Sequence, residues 1–177
     1  DLIRSRGDVA DSPLHMAVES NNAKLVALIL KHGADAEATR RFFGRSTALS
    51  TAVGNGNVEI IKMLIAAGAD PKRKSGNDWT LLHSAVKHPD VVKLLIEHGL
   101  DVNAQLENGW TPLHWAARRG YVESVKLLVQ AGARFHHRGT AIWGSKAYAE
   151  VTPLEYAICS KEDKLLGIKA LLEAGDD

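Results

Sequence analysis

The sequence predicts an all-α fold, a solenoid of five stacked helix pairs with projecting turn fingers, as a single domain over residues 1–177. Three observations lead there. A six-residue segment headed by Ser or Thr recurs five times: Ser12-Pro13-Leu14-His15-Met16-Ala17, Thr47-Ala48-Leu49-Ser50-Thr51-Ala52, Thr80-Leu81-Leu82-His83-Ser84-Ala85, Thr111-Pro112-Leu113-His114-Trp115-Ala116 and Thr152-Pro153-Leu154-Glu155-Tyr156-Ala157. Each is followed by a second apolar stretch that closes on glycine, at Gly33, Gly68, Gly99, Gly132 and Gly175. The heads lie 35, 33, 31 and 41 residues apart, and self-similarity at such a period marks a repeat array. The units are read as roughly 8–43, 44–76, 77–107, 108–148 and 149–177.

Each element follows from local chemistry. The head hydroxyl accepts an orphan N–H at a helix start, and Pro13, Pro112 and Pro153 fall at the first helical position, where a missing donor costs nothing. The second helix carries its apolar residues on one face, as in Val26, Leu28 and Ile29 or Val125, Leu127 and Leu128, and stops at a glycine able to take the left-handed conformation. A polar finger then runs to the next hydroxyl. Asn108-Gly109 is its clearest turn signal, and Asn77-Asp78 takes the same place in the third unit. One helix pair cannot bury its own stripe, so the units must stack.

These segments resemble the Thr-Pro-Leu-His-x-Ala signature of the ankyrin repeat, over nearly all of the chain from Ser12 to Gly175. The resemblance implies a non-catalytic module that binds a partner protein or peptide. It also implies that His15, His83 and His114 hydrogen-bond neighbouring turns rather than act in catalysis. Asn103 matches the finger asparagine that ties the turn, which in some animal members is an oxygenase substrate.

The units depart from their own rule in four places. The third is two residues short between its helices, where His88-Pro89-Asp90 fits a tight turn with Pro89 opening the second helix. The fifth is two residues long, with Ser160 and Asp163 spaced as a capping box; Thr152 and Glu155 have the same spacing. The first finger is longer than the next two. The finger from Gly132 to Thr152 is eight residues longer than the rule, and its loop from Ala133 to Val151, which contains Phe135, Trp143 and Tyr148, is too rich in rings for a tether and is expected to pack partly over the neighbouring finger or helix ends.

Seven of the ten aromatic residues lie in fingers, among them Phe42, Phe43, Trp79, Trp110 and Trp143. Trp79 and Trp110 share one repeat position and are expected side by side. At the ends of the first helices stand Lys87-His88 and Arg118-Arg119, and the fingers add Arg40, Arg41, Arg45, Lys72-Arg73-Lys74, Arg134, Arg138 and Lys146. Trp79, Lys87, His88, Trp110, Trp115, Arg118 and Arg119, with Phe42, Phe43 and Trp143, are the candidate partner-binding residues. The group is expected to point outward and to suit an acidic segment, because Trp, Tyr and Arg are enriched at interface hot spots. Packing of finger against finger is the competing reading of the rings. Two further functions stay open: an anionic small ligand or nucleic acid on the basic fingers, and a targeting role beside an enzyme elsewhere in a longer chain.

Composition narrows the classes. With 22 Lys+Arg against 21 Asp+Glu the formal charge is +1, which argues against a dedicated nucleic-acid binder or a polybasic membrane anchor. Forty-five per cent hydrophobic residues is a globular composition. One cysteine, Cys159, leaves no internal disulfide and points to a reducing intracellular setting, cytoplasmic or nuclear. Asp1 in place of Met suggests a piece of something longer. No phosphate loop, dinucleotide fingerprint, His-Glu-x-x-His or serine elbow occurs, and His136-His137 lack a local acid or thiol, so no catalytic residue, metal or cofactor is expected.

Overall fold

The computed structural model describes residues 12–40, 46–143, 147–159, 168–169 and 171–173, with the side chains of 141–149 and 159 outside that description. Phe42, Phe43 and the Ser160–Asp163 pair therefore lie outside the described residues, as do the side chains of Trp143 and Tyr148. The chain divides into two compact units, Asp1–Gly76 and Asn77–Asp177, at the boundary read between the second and third repeats.

The first unit holds two helix pairs: α1 (Pro13–Glu19) with α2 (Ala23–Lys31), and α3 (Ala48–Asn55) with α4 (Val58–Ala66). Their starts are chemically fixed. Ser12 Oγ accepts from His15 N–H, Thr47 and Ser50 form a reciprocal capping box, and Asn22 and Asn57 cap the second helices. Gly33 and Gly68, at φ 80° and 98°, turn the chain out of α2 and α4 in the left-handed region. Helix α1 packs on α2 and α3, and α2 on α4, so the core is a layer of Leu14, Val18, Val26, Leu49, Ile60, Ile61 and Leu64.

The second unit has α5 (Leu81–Ala85) with α6 (Pro89–Glu97), α7 (Pro112–Arg119) with α8 (Val122–Gln130), and α9 (Pro153–Cys159); residues 168–169 and 171–173 are also helical. The two-residue deletion leaves α5 five residues long, and Pro89 opens α6 as the spacing required. Asn77 and Asp78 both take φ near 60°. The core is Leu82, Val91, Val92, Leu95, Leu113, Val125 and Leu128.

The inserted finger is not a plain turn. It forms an antiparallel hairpin, β1 (Gly139–Trp143) with β2 (Ala147–Val151), pairing Gly139 with Val151 and Trp143 with Ala147. Thr140, Ile142, Trp143, Tyr148 and Val151 suit a pleated backbone. A lone two-strand hairpin is marginal in water. This one leans on the preceding finger, where Thr140 N–H donates to Asn108 O at 2.7 Å.

Candidate functional site

Within the second unit, the caps of α5 and α7 are built by one device used twice. Thr80 and Thr111 donate their N–H to Nδ1 of His83 and His114, three residues on, at 3.3 and 3.2 Å. With Nδ1 accepting, the ring proton sits on Nε2. It is donated one repeat onward, from His83 to Trp110 O at 3.2 Å and from His114 to Val151 O at 3.1 Å. Burial is the first cause of the lowering of the His114 pKa to about 4, so the ring is neutral as the geometry needs. These histidines hold turns together, as the signature implied.

The fingers are laced in a similar way. Asp35, Asp70 and Asp101, each two residues past a closing glycine, accept the N–H two residues on at 2.8–2.9 Å. Glu37 and Asn103, at equivalent positions, reach the next finger. Glu37 accepts from Asp70 N–H at 2.9 Å, and Asn103 accepts from Arg134 N–H at 2.8 Å while donating to Gly132 O. Asn103 therefore has the turn-tying role.

On this frame the rings meet. Trp115 meets both Trp79 and Trp110, with centroid separations of 5.2 and 5.0 Å, so the two finger tryptophans belong to one ring cluster. Trp115 sits in the first turn of α7. Tyr156, four residues after its cap as Trp115 is, meets Trp110 edge-on at 4.5 Å. Arg118 places its guanidinium carbon 5.8, 5.3 and 5.6 Å from the ring centroids of Trp110, Trp115 and Tyr156.

Trp110 does not point outward as expected. It is only 5% exposed, and its indole N–H donates to Thr140 O at 2.9 Å, because the hairpin closes over it. Trp79 is half-buried and donates to Ser84 Oγ at 2.7 Å. Lys87 and Arg119 are exposed, and neither makes an ion pair or side-chain hydrogen bond among the described residues. His88 is half-buried at the N-cap of α6. Trp143 ends β1 and pairs with Ala147. Tyr156 was missed in the sequence, although its offset from Thr152 equals that of Trp115 from Thr111.

Three of the finger cations are engaged inside the protein, while Lys72 and Arg134 make no ion pair or side-chain hydrogen bond among the described residues, and Arg41, Arg45 and Lys146 lie outside them. Arg40 is buried against Glu19 at 2.6 Å, and this hydrogen bond leads the lowering of the Glu19 pKa. Arg73 pairs with Glu37 at 2.6 Å, and Arg138 donates to Glu150 O at 2.9 Å while lying 3.9 Å from Glu155. Glu155 is held below its usual value first by the hydrogen bond from Thr152 N–H, the expected capping box. Among the described residues no His, Cys, Asp and Glu group could hold a metal, and no helix is long and apolar enough to cross a membrane.

Stacked helix pairs with laced fingers define a helical repeat protein. The chain belongs to the ankyrin-repeat family: the family model for ankyrin repeats (3 copies) matches residues 2–75 and 49–139. Ankyrin repeats are generally protein–protein interaction modules and typically non-catalytic. The chain is similar to an ankyrin repeat protein of Fowlpox virus (strain NVSL), 38% identical over 76 residues, which is 43% of this chain and 17% of that protein. It is also similar to the potassium channel AKT1 of Oryza sativa subsp. indica, 38% identical over 65 residues, 37% of this chain and 7% of the channel. A third relative is the B-cell lymphoma 3 protein homolog of Mus musculus, 38% identical over 71 residues, 40% of this chain and 15% of that protein. The chain thus spans less than a fifth of the length of these relatives.

Proposed function

We infer that this chain is a non-catalytic interaction module whose second unit takes an acidic protein segment at the ends of its first helices. One observation carries the reading: Lys87, Arg118 and Arg119 make no ion pair or side-chain hydrogen bond among the described residues, whereas Arg40, Arg73 and Arg138 are paired internally. Cations left without acids on one face attract an acidic partner and exclude a basic one. Of the finger cations, Arg40, Arg73 and Arg138 are paired internally, whereas Lys72 and Arg134 make no ion pair or side-chain hydrogen bond among the described residues.

The test is selection of peptides from a random library on the immobilised chain, with Lys87→Glu/Arg119→Glu as control. Both residues are exposed, so the control should keep its fold. Peptides rich in Asp and Glu that bind the wild type and not the control are the expected result. Enrichment of neutral or basic peptides refutes it. Binding of nucleic acid with a steep salt dependence would favour the alternative of phosphate recognition instead.

A further inference from the structure

We propose that Arg118 is a pre-oriented receptor for one carboxylate, the side chain of an Asp or Glu in the partner. This rests on the reading of the chain as a module for an acidic segment, and names the group on which that segment is anchored.

The guanidinium is held within 6 Å of three ring centroids, those of Trp110, Trp115 and Tyr156, the range in which an aromatic face attracts a cation. Rings fix a guanidinium without using its N–H groups. Among the described residues none of these donors has an acceptor: Arg118 makes no side-chain hydrogen bond and no ion pair. The neighbouring indole N–H of Trp115, shielded from solvent, also lacks an acceptor among the described residues. Arg118 is nevertheless only half-buried, and so remains within reach of an incoming group.

Such a group must bring acceptors, and it must be anionic. A carboxylate presents two oxygens at the spacing of the guanidinium fork and carries the single charge that one guanidinium matches. A phosphate would bring up to two charges to a box that holds one cation. Because the rings restrict Arg118 before binding, less side-chain entropy is lost when the pair forms. Lys at this position would keep the charge and lose both the fork and the stacking.

The test is a titration of the full chain with capped hexaglutamate and capped hexaglutamine, read from the NMR signals of the Arg118 Nε–H and the indole N–H groups of Trp110 and Trp115. Hexaglutamate is expected to shift these signals and hexaglutamine to leave them in place. Arg118→Lys should weaken binding about tenfold, the loss expected for charge-assisted hydrogen bonds, while Arg119→Lys should change it less than about twofold. An unchanged melting curve for Arg118→Lys separates this loss from misfolding. If Arg118→Lys binds like wild type while Lys87→Glu/Arg119→Glu does not bind, the receptor is refuted and the acidic-partner reading stands. Failure of hexaglutamate to bind at all refutes both. Inorganic phosphate moving the Arg118 signal at lower concentration than acetate overturns the carboxylate assignment.

Discussion

Replacing Trp110 by Ala should remove the piece that joins three elements of the second unit. The ring is 5% exposed, meets Trp115 and Tyr156 at 5.0 and 4.5 Å, stacks on His114 at 6.0 Å and holds β1 through its indole N–H to Thr140 O. Truncating a buried large aromatic costs about 3–5 kcal/mol, and the loss of edge-to-face partners places Trp110→Ala toward the upper end. Trp110→Phe keeps most of the ring but leaves Thr140 O without its indole donor, about 1 kcal/mol. Urea denaturation followed by far-ultraviolet circular dichroism separates the two, since indole fluorescence changes with the mutation itself. A cost below about 1 kcal/mol for Trp110→Ala would refute the placement of this ring in the core, and equal costs for Ala and Phe would refute the role given to the area of the ring.

A methyl at Gly139 would meet Cδ1 of Trp110, with Nε1 at 3.0 Å and the Trp110 backbone N at 3.2 Å, so Gly139→Ala should destabilise by about 1–3 kcal/mol and speed hydrogen exchange at Thr140; an unchanged melt would place the hairpin elsewhere. The lowered His114 pKa makes stability pH-dependent: the unfolded ring binds a proton near pH 6.5 and the folded one only near 4, so stability is complete above 6.5 and falls as pH drops toward 4. The loss is about 3 kcal/mol; it should be absent from the His114→Ala profile and so appear in the difference between the two profiles. Leu113→Ala and Leu128→Ala, at fully buried positions, should each cost about 2–5 kcal/mol in denaturant titration. Asn103→Ala should cost about 1 kcal/mol and raise exchange at Arg134 N–H, the group it leaves without its acceptor.

Helix starts were legible because a cap is a local matter: Ser12, Thr47, Thr80, Thr111 and Thr152 each act through neighbours within three residues, and Pro89 could be assigned from spacing alone. The histidine at the third position was legible through the family, since its Nε2 partner lies a repeat away and no local pattern reveals it. Three rings of the cluster, Trp79, Trp110 and Trp115, were legible as members, while Tyr156 was not. Trp79 and Trp110 were expected side by side, and the contact that Trp115 of α7 makes with both depends on packing that the repeat register does not reveal. Burial of Trp110 could not be read, because it depends on a hairpin whose short strands carry little periodicity. The internal pairing of Arg40 was not legible for an electrostatic reason: it and Glu19 are 21 positions apart, and only the fold brings one charge to the other.

The histidine ties also show how little the insertion disturbs the chain as a polymer. His83 reaches Trp110 O across 27 residues and His114 reaches Val151 O across 37, yet the two bonds are 3.2 and 3.1 Å long. Closure entropy grows only with the logarithm of loop length, so the ten additional residues raise the closing cost by about 0.3 kcal/mol. The hydrogen bond from Trp110 to Thr140 alone offsets that several times over. A repeat of this kind can therefore lengthen a finger at almost no thermodynamic penalty, provided that the added residues dock on the neighbouring finger and return the chain to the same carbonyl.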